Sequence, residues 1–231
     1  LNQDFSKTEL IIMGGTFTTY PKVYRDEFTT YALKAMNDFS DMFFNDGEFN
    51  IVKFKEFFEL PSEVKNEDRT KKLQVKFLKL KKDNNLEVEQ KRNETSNVRC
   101  VTFCIETRPD YSKWVHIDDI LRLGATRVEL GIQSIYDNVL LKVERGHLND
   151  ANIKSTQLCK DSFLKVGYHV MLGLPDSTKE MDIEMFKEIF SNQDYKPDAL
   201  KIYPCMVFKG TKLYEQYEKG EFEPIDAADA D

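Results

Sequence analysis

The amino-acid sequence predicts an α/β fold built on a parallel sheet, in the form of a partial barrel that lacks its first strand. Short apolar strands alternate with amphipathic helices along most of the 231 residues, and this alternation is typical of parallel sheets with right-handed crossovers. Several strands also end in glycines or charged side chains. Such residues are expected where barrel strands reach the mouth at which chemistry is done.

A buried-type strand at residues 10–13 opens the pattern. It is followed by an amphipathic helix, because apolar residues recur at spacings of three and four over residues 28–39. The next predicted strand, at 100–106, alternates apolar residues with smaller or polar ones. A helix at 117–123 follows it, and Gly124 stands where a C-terminal cap is expected.

The second half of the sequence continues the alternation. Asn149 and Asp150 are residue types that cap helices, and the strand at 168–172 ends in a Gly-Leu-Pro turn. The remaining predicted elements are a strand at 127–131, a capped helix from 149 to about 164, the strand at 168–172, a helix over 183–190 and a strand at 199–203.

Residues 45–97 interrupt this pattern as a charged insertion in which no strand periodicity persists. Within it, the stretch 69–82 carries basic residues and no acidic ones. One interpretation is a solvated, low-complexity insertion. The other is a patch that contacts RNA phosphates, since clustered lysines neutralise backbone charge without base contacts. In that case Leu73, Phe77 and Leu80 would supply an apolar helical face beneath the lysines.

Composition restricts the class of protein. The length suits one domain, residues 1–231, with a substantial core. No apolar run approaches the roughly 18 residues that cross a bilayer, and the start lacks a secretory signal, so we expect a soluble intracellular protein without membrane contact. The formal net charge of −7 argues against a nucleic-acid surface over the whole domain. Any RNA contact is therefore expected to be local.

The four cysteines lack the paired spacing of a disulfide framework and are expected to be reduced thiols. The sequence begins without methionine just before a strand and stops shortly after an aromatic, charged helical stretch. We therefore expect an internal fragment of a longer protein.

The motifs at the strand ends give the strongest signal. Glu106 and Arg108 end a strand just before a proline, which forces the chain off it. The motifs are, in order, Gly-Gly-Thr-Phe at 14–17, Glu-Thr-Arg-Pro-Asp-Tyr at 106–111, Glu-Leu-Gly-Ile-Gln-Ser at 129–134, Arg-Gly-His at 145–147 and Leu-Lys-Ile-Tyr-Pro at 200–204.

In this succession the motifs resemble those of radical S-adenosylmethionine enzymes, whose domain is a partial (β/α)6 barrel. They are most similar to the catalytic subunit of Elongator and its archaeal and bacterial relatives, the tRNA wobble-uridine carboxymethyl synthases. The resemblance covers nearly the whole chain apart from the insertion. It implies an acyltransferase-class, histone acetyltransferase-like enzyme that carboxymethylates carbon 5 of tRNA uridine 34, using acetyl-CoA and a 5′-deoxyadenosyl radical.

The same resemblance implies S-adenosylmethionine and a 4Fe-4S cluster as cofactors and acetyl-CoA as co-substrate. The implied partners are tRNA and other Elongator subunits, and the implied location is the cytoplasm, with the nucleus as a further compartment. Gly14, Gly15 and Thr16 occupy the motif whose backbone accepts the methionine ammonium. Glu106 matches the carboxylate that holds the ribose hydroxyls, since two acceptor oxygens suit two neighbouring donors.

Further site residues are implied in the same way. Gln133 and Arg145 match a polar pair near the methionine moiety, where Arg145 would bind the carboxylate through a charge-assisted fork. His169 matches a residue that contacts the ribose. Lys201 and Tyr203, on the last strand, are catalytic candidates that would orient the acetyl group or the uridine.

The residues alone leave simpler alternatives open. Glu106 could form a structural ion pair with Arg108 or Arg127. Arg145 could be a solvated residue between helices. His169, which alternates with apolar neighbours on a strand, could be a core histidine.

The chain also departs from the family pattern. The cluster motif of the family includes a Cys-x-x-Cys pair, which this chain lacks, and Cys100 and Cys104 lie too far apart along a strand to replace it. We expect no metal ligands here, the cluster cysteines upstream and the acetyltransferase domain outside the chain, so this segment alone is expected to be inactive. Ser112 replaces the cysteine or tryptophan that the family often has after Asp-Tyr.

Two other functions remain open. One is another radical enzyme on the same barrel, such as a methylthiotransferase or a coproporphyrinogen-type oxidase. The other is a scaffold that binds tRNA or partner subunits without a cluster.

Overall fold

The computed structural model describes residues 5–226, which form two compact units. The first holds the described residues up to Leu10 together with Tyr20–Thr102. The second holds Ile11–Thr19 together with the described residues from Phe103 onward. Two of the boundaries between the units fall within strands, β1 (Lys7–Ile12) and β4 (Arg99–Thr107), and the third lies between Thr19 and Tyr20.

The first unit is mainly helical and contains the insertion at 45–97. Its long helix precedes a hairpin of two short strands, and three shorter helices follow. These elements are α1 (Lys22–Phe43), β2 (Phe44–Asn45), β3 (Glu48–Phe49), α2 (Ile51–Phe58), α3 (Glu67–Leu80) and α4 (Leu86–Asn93).

The interpretation of 45–97 as a solvated, low-complexity segment is wrong, because aromatic packing folds it. The rings of Phe39 and Phe49 stack with centroids 6.0 Å apart, and those of Phe54 and Phe58 lie 4.6 Å apart. Phe43 is 2% exposed and contacts Phe54 edge to face. Aromatic pairs of this kind add about 0.5–1.5 kcal/mol each beyond the burial of their surface.

Local capping defines the helices of the insertion. An asparagine precedes each of α2, α3 and α4, and its side chain accepts a hydrogen bond from an N–H of the first turn. Capping of this type is worth about 1 kcal/mol. On α3, Leu73 and Leu80 are half-buried whereas Phe77 is exposed, so the predicted apolar face is only partly covered.

The five-stranded sheet has the strand order β1-β4-β5-β6-β7, and its strands β5, β6 and β7 lie wholly in the second unit. Each of the adjacent pairs β4–β5, β5–β6 and β6–β7 is parallel, which confirms the predicted α/β fold with the parallel sheet of a partial barrel. The other elements are α5 (Trp114–Arg122), β5 (Arg127–Gln133), α6 (Asp137–Lys142), α7 (Asn149–Asp161), β6 (Lys165–Leu172), α8 (Lys179–Ser191), β7 (Ala199–Pro204) and α9 (Lys212–Glu218).

The core of this unit lies between the sheet and its helices. Ile105, Val128 and Val166 on adjacent strands are fully buried, as are Ile120 on α5 and Met185 on α8. Burial of one such side chain contributes about 1.5–3 kcal/mol relative to exposure. The strands are thereby held so that their carboxyl ends lie side by side.

The helix ends bear out one predicted cap and contradict another. Gly124 follows α5 with φ +89°, a conformation that glycine adopts without a steric penalty. By contrast, Asn149 does not cap α7: the helix begins at Asn149, the capping position is Leu148, and no side chain caps it. The Asn149 N–H instead binds Asp137 Oδ1 at 2.8 Å. None of the described helices is both long and apolar enough to cross a membrane.

Candidate functional site

Four side chains from the adjacent strands β4 to β7 meet on one face of the sheet. Glu106 on β4, Glu129 on β5, His169 on β6 and Lys201 on β7 form what we call the strand-end cluster. The parallel register brings them together, because Glu106 is paired with Glu129 and His169 with Lys201. Side chains at paired positions of adjacent strands lie on the same face of the sheet.

Glu106 links the cluster to the glycine turn after β1. Its Oε1 accepts a hydrogen bond from Lys201 Nζ at 3.0 Å, and its Oε2 accepts one from the Gly14 N–H at 3.3 Å. The alternative that Glu106 pairs with Arg108 or Arg127 is wrong. Arg108 forms a two-point ion pair with Asp110, and Arg127 pairs with Glu129 at 3.2 Å.

Glu129 is the cluster residue that the sequence analysis did not single out. It is 2% exposed and accepts hydrogen bonds from His169 Nε2 at 2.8 Å and from Lys201 Nζ. A sequence signal for Glu129 exists, because it is a charged residue inside the apolar run of β5. It belongs to the motif at 129–134, in which the resemblance assigns a role to Gln133 alone.

Lys201 carries a fixed positive charge in this arrangement. Burial favours its neutral form, but hydrogen bonds to Glu129 and Glu106 outweigh burial and raise the pKa of Lys201. It therefore acts as a hydrogen-bond donor and not as a base at neutral pH.

The interpretation of His169 as a core histidine is wrong. Its side chain is only partly buried and bonds to Glu129. Its ring also packs edge to face with that of Tyr203, with the two ring centroids 5.6 Å apart.

The cluster has the donor atoms of a cation site, since oxygens of Glu106 and Glu129 and a nitrogen of His169 lie within 4.8 Å of one another. Lys201 Nζ, however, contacts both carboxylates. An ammonium thus already supplies the positive charge that a metal would bring, and we interpret the group as an ion-pair cluster.

The glycine turn is exposed. Gly14 and Gly15 have φ values of +89° and +72°, and a Cβ at either position would meet no atom within 4 Å. Two hydrogen bonds fix the residues that follow the glycines. Thr18 Oγ1 bonds to Thr107 Oγ1 at 2.9 Å, and the Thr19 N–H donates to Thr16 O at 3.0 Å. The two glycines therefore line open space beside Glu106.

Gln133 and Arg145 form a second polar group at the end of β5. Arg145 Nη2 donates to the Gly131 carbonyl at 2.6 Å, so Arg145 is not a solvated linker. Among the described residues, neither Arg145 Nε nor Gln133 Oε1 has a hydrogen-bond partner, although both atoms are buried. A side chain on Gly131 would collide with Arg145, since a Cβ there would lie 2.6 Å from Nη2.

The electrostatics of this second group favour an anion. Burial and the nearby cation of Arg108 lower the pKa of Arg145, and Asp110 only partly opposes them. Gln133 lies at a bulge between β5 and β6 and has φ +65°, a strained conformation for a residue other than glycine. Such strain often accompanies functional sites.

The structure thus brings together Gly14, Glu106, His169 and Lys201, and it joins Gln133 to Arg145 through Gly131. Tyr203 touches the first group through His169. Gly15 and Thr16 lie in the same turn, but among the described residues neither forms a hydrogen bond to the strand-end cluster.

The cysteines do not resemble cluster ligands. Burial raises the pKa of Cys100 and Cys205, and it raises that of Cys104 to about 11 and that of Cys159 to about 12. Metal ligation requires the thiolate. Within the described chain, the thiols present therefore do not fit an iron–sulfur cluster.

Comparisons with known proteins identify the family of the chain. The family model described as Radical SAM superfamily matches residues 2–189, and that of the Radical_SAM C-terminal domain matches 197–230. A tRNA uridine(34) acetyltransferase of Methanocaldococcus infernus is 45% identical over 94% of this chain and 33% of its own length. Human Elongator complex protein 3 is 34% identical over 99% of this chain and 34% of its own length.

A solved structure gives the same result. The archaeal Methanocaldococcus infernus Elp3 with an N-terminal deletion superimposes with a TM-score of 0.77 at 44% identity, covering 98% of this chain and 43% of that one. The chain spans about a third of the length of the curated relatives it matches. The resemblance seen in the motifs is confirmed, and family membership implies S-adenosylmethionine and a 4Fe-4S cluster as cofactors. The chain belongs to the radical S-adenosylmethionine superfamily.

Proposed function

We propose that this chain is the S-adenosylmethionine-binding part of an enzyme that carboxymethylates carbon 5 of the wobble uridine of tRNA. The observation that carries the proposal is the pair of buried, unpartnered atoms at the end of β5, Arg145 Nε and Gln133 Oε1. A donor and an acceptor left without partners in a protein interior cost about 1–3 kcal/mol each. A bound zwitterion would satisfy both.

The residues fit S-adenosylmethionine as follows. Arg145, a partly desolvated cation, binds the methionine carboxylate, and Gln133 Oε1 accepts from the methionine ammonium. The exposed backbone at Gly14 and Gly15, next to Thr16, accepts the other ammonium hydrogens. Glu106 and His169 bind the ribose hydroxyls. When bound, S-adenosylmethionine supplies the radical chemistry of the superfamily.

Lys201 and Tyr203 stand at the end of β7, next to these residues. Since Lys201 stays protonated, we assign it a positioning role: it holds Glu106 and presents a donor to a carbonyl oxygen. Tyr203, 41% exposed, is placed to orient the acetyl group or the uridine. Acetyl-CoA as the acetyl source, tRNA as the substrate, Elongator-type subunits as partners and a cytoplasmic or nuclear location rest on the similarity to the relatives named above.

The test is S-adenosylmethionine binding by the full-length protein, measured by anaerobic calorimetric titration. Glu106→Ala should weaken binding by about 1.5–3 kcal/mol, the usual value for a hydrogen bond to a charged group. Glu144→Ala is the matched control, because Glu144 also pairs with a lysine, Lys212, at 2.8 Å but on the surface. An unchanged dissociation constant in a folded Glu106→Ala variant would contradict the assignment.

The reaction is tested separately by nucleoside analysis of tRNA after incubation with acetyl-CoA and S-adenosylmethionine. Carboxymethyluridine at the wobble position is the expected product. A different modified base would indicate another radical enzyme, and tRNA binding without any product would indicate a scaffold.

A further inference from the structure

Glu129 lies at the centre of the strand-end cluster, and the sheet has made room for it. It is paired with Glu106 on one side and with Gly167 on the other. A Cβ on Gly167 would lie only 2.9 Å from Glu129 Cγ. The absence of a side chain at position 167 is therefore what allows the carboxylate to reach β6 and β7.

The contacts of Glu129 keep it ionised. Burial alone would raise its pKa, but hydrogen bonds from Lys201 and His169 outweigh burial and lower the pKa. Removal of the carboxylate would take this acceptor from three donors, on His169, Lys201 and Arg127. The role of Glu129 is thus exerted through the side chains that it holds.

For His169, the contact fixes the position of the ring proton. Nε2 lies 2.8 Å from Glu129 Oε2, and an ionised carboxylate can only accept, so Nε2 carries the proton. Nδ1 makes no hydrogen bond with the part of the chain that is described. In the neutral ring, Nδ1 therefore offers a lone pair that can accept from a ligand hydroxyl.

For Lys201, the contact fixes the ammonium between two carboxylates. Nζ binds Glu129 and, at 3.0 Å, Glu106 Oε1. Glu129 thereby shares the lysine with Glu106 and leaves Glu106 Oε2 with a single described donor, the Gly14 N–H at 3.3 Å. That oxygen retains capacity for one more hydrogen bond.

We propose that Glu129 is a positioning residue for cofactor binding: it selects the Nε2–H form of His169 and holds Lys201, so that His169 Nδ1 and Glu106 Oε2 accept from the two ribose hydroxyls. The inference rests on the proposed binding of S-adenosylmethionine and adds to it a residue that does not itself touch the ligand.

The test is a double-mutant cycle on the full-length protein, with the S-adenosylmethionine dissociation constant as the readout. Glu129→Gln should weaken binding on the order of tenfold, the lower end of the range for carboxylates that orient metal-binding histidines. Because Glu129 acts partly through His169, the loss of affinity in the double variant Glu129→Gln with His169→Asn should be smaller than the sum of the losses in the two single variants. Fully additive losses would overturn the proposal.

A second ligand separates positioning from loss of structure. An S-adenosylmethionine analogue with hydrogens in place of both ribose hydroxyls should bind Glu129→Gln and the unchanged protein equally. A general distortion of the site would weaken both ligands. Asp182→Asn is the matched control, because it removes another buried carboxylate of this unit that bonds to Gly173 and Ser177.

Gly167→Ala provides an independent route if Glu129→Gln fails to fold. It retains the carboxylate but displaces it, so it should also weaken S-adenosylmethionine and spare the analogue. If the unchanged protein binds S-adenosylmethionine but neither variant shows this difference, the positioning role is wrong. If the unchanged protein does not bind S-adenosylmethionine, the proposed function itself fails.

Discussion

Gln133 combines a strained backbone with a polar side chain at the end of β5. Its φ of +65° costs about 1–3 kcal/mol in a residue other than glycine. The fold retains this cost although glycine would relieve it. A strained residue that carries an unpartnered acceptor is best explained by a contact that forms only with a ligand.

Gln133→Gly should therefore separate stability from binding. We expect the free energy of unfolding to stay the same or to rise by about 1 kcal/mol, because the strain is relieved, while S-adenosylmethionine binding weakens. Denaturant unfolding and calorimetric titration measure the two effects. Phe163→Gly is the control, since Phe163 has φ +61°, is 97% exposed, and should gain stability without any loss of affinity. A destabilised Gln133→Gly variant with normal affinity would refute this interpretation.

At the residue scale, the sequence predicted three members of the strand-end cluster and missed Glu129. Glu106, His169 and Lys201 could be assigned because their positions match those of site residues in the family that the motifs resemble. Glu129 required the pairing of β5 with β6, because only that register places it opposite Gly167. Their roles in binding stay predictions.

At the scale of elements, a buried ionic network attaches α4 to α1. Glu89 is fully buried, and both its oxygens accept from Arg92 Nη1 at 2.8 Å. Asn37 Nδ2 on α1 donates to the same carboxylate at 2.7 Å. Arg92 Nη2 reaches back to Asp41 at 2.7 Å. The two helices are therefore joined by charge as well as by apolar packing.

Arg92→Ala should destabilise the first unit by about 3 kcal/mol or more, because it leaves Glu89 buried without its cation. The adjacent Lys91→Ala is the matched control. Lys91 is 79% exposed and pairs only with exposed Glu94, and such surface pairs contribute about 0–1 kcal/mol. Denaturant unfolding measures the free energy of unfolding of both variants. Equal losses of stability would show that the network does not stabilise the helix pair.

The basic stretch of α3 divides into two sets of residues. Arg69 donates to the Phe58 carbonyl at 2.7 Å, and Lys76 pairs with Glu59 at 3.0 Å, so these cations help to fold the insertion. Lys71, Lys79 and Lys82 are exposed and form no ion pair within the described chain. If the stretch contacts RNA phosphates, the second set supplies the charge.

Replacement of Lys71, Lys79 and Lys82 by glutamine should weaken tRNA binding to the full-length protein and flatten its salt dependence. Each lost phosphate contact reduces the slope of log affinity against log salt by about 0.7–0.9. Cognate and non-cognate tRNA should be affected alike, because phosphate contacts do not read bases. Filter binding across a salt series measures the slope.

The matched control for this prediction replaces three exposed lysines of the second unit, namely Lys154, Lys187 and Lys212. Equal slopes for both triple variants and the unchanged protein would remove the insertion from RNA binding. The sequence could not decide this point, because charge density hid the asparagine caps and phenylalanines that fold the segment. Only the structure distinguishes the lysines that form an ion pair from those that form none with the described residues.

At the scale of the whole molecule, the alternation of strands and helices predicted the sheet well, because periodicity and strand-end glycines are local signals. The division into two compact units was not foreseen, since it depends on packing between residues distant in sequence, such as that of α1 against α4 of the insertion. The two cofactors of the family also differ in how well the described residues suit them. The described chain offers side chains that fit S-adenosylmethionine, but its thiols do not fit the cluster.

The last prediction follows from these thiols. Because burial raises the pKa of Cys104 to about 11 and that of Cys159 to about 12, both stay protonated at neutral pH, and a rise in pH toward these values is needed to form thiolates. After anaerobic reconstitution with iron and sulfide, the 231-residue chain should hold no stoichiometric cluster and show no broad visible absorbance. The full-length protein, treated in parallel, is the positive control. Stoichiometric iron and sulfide in the shorter chain, lost on replacement of Cys100 and Cys104 by serine, would show instead that this strand provides ligands.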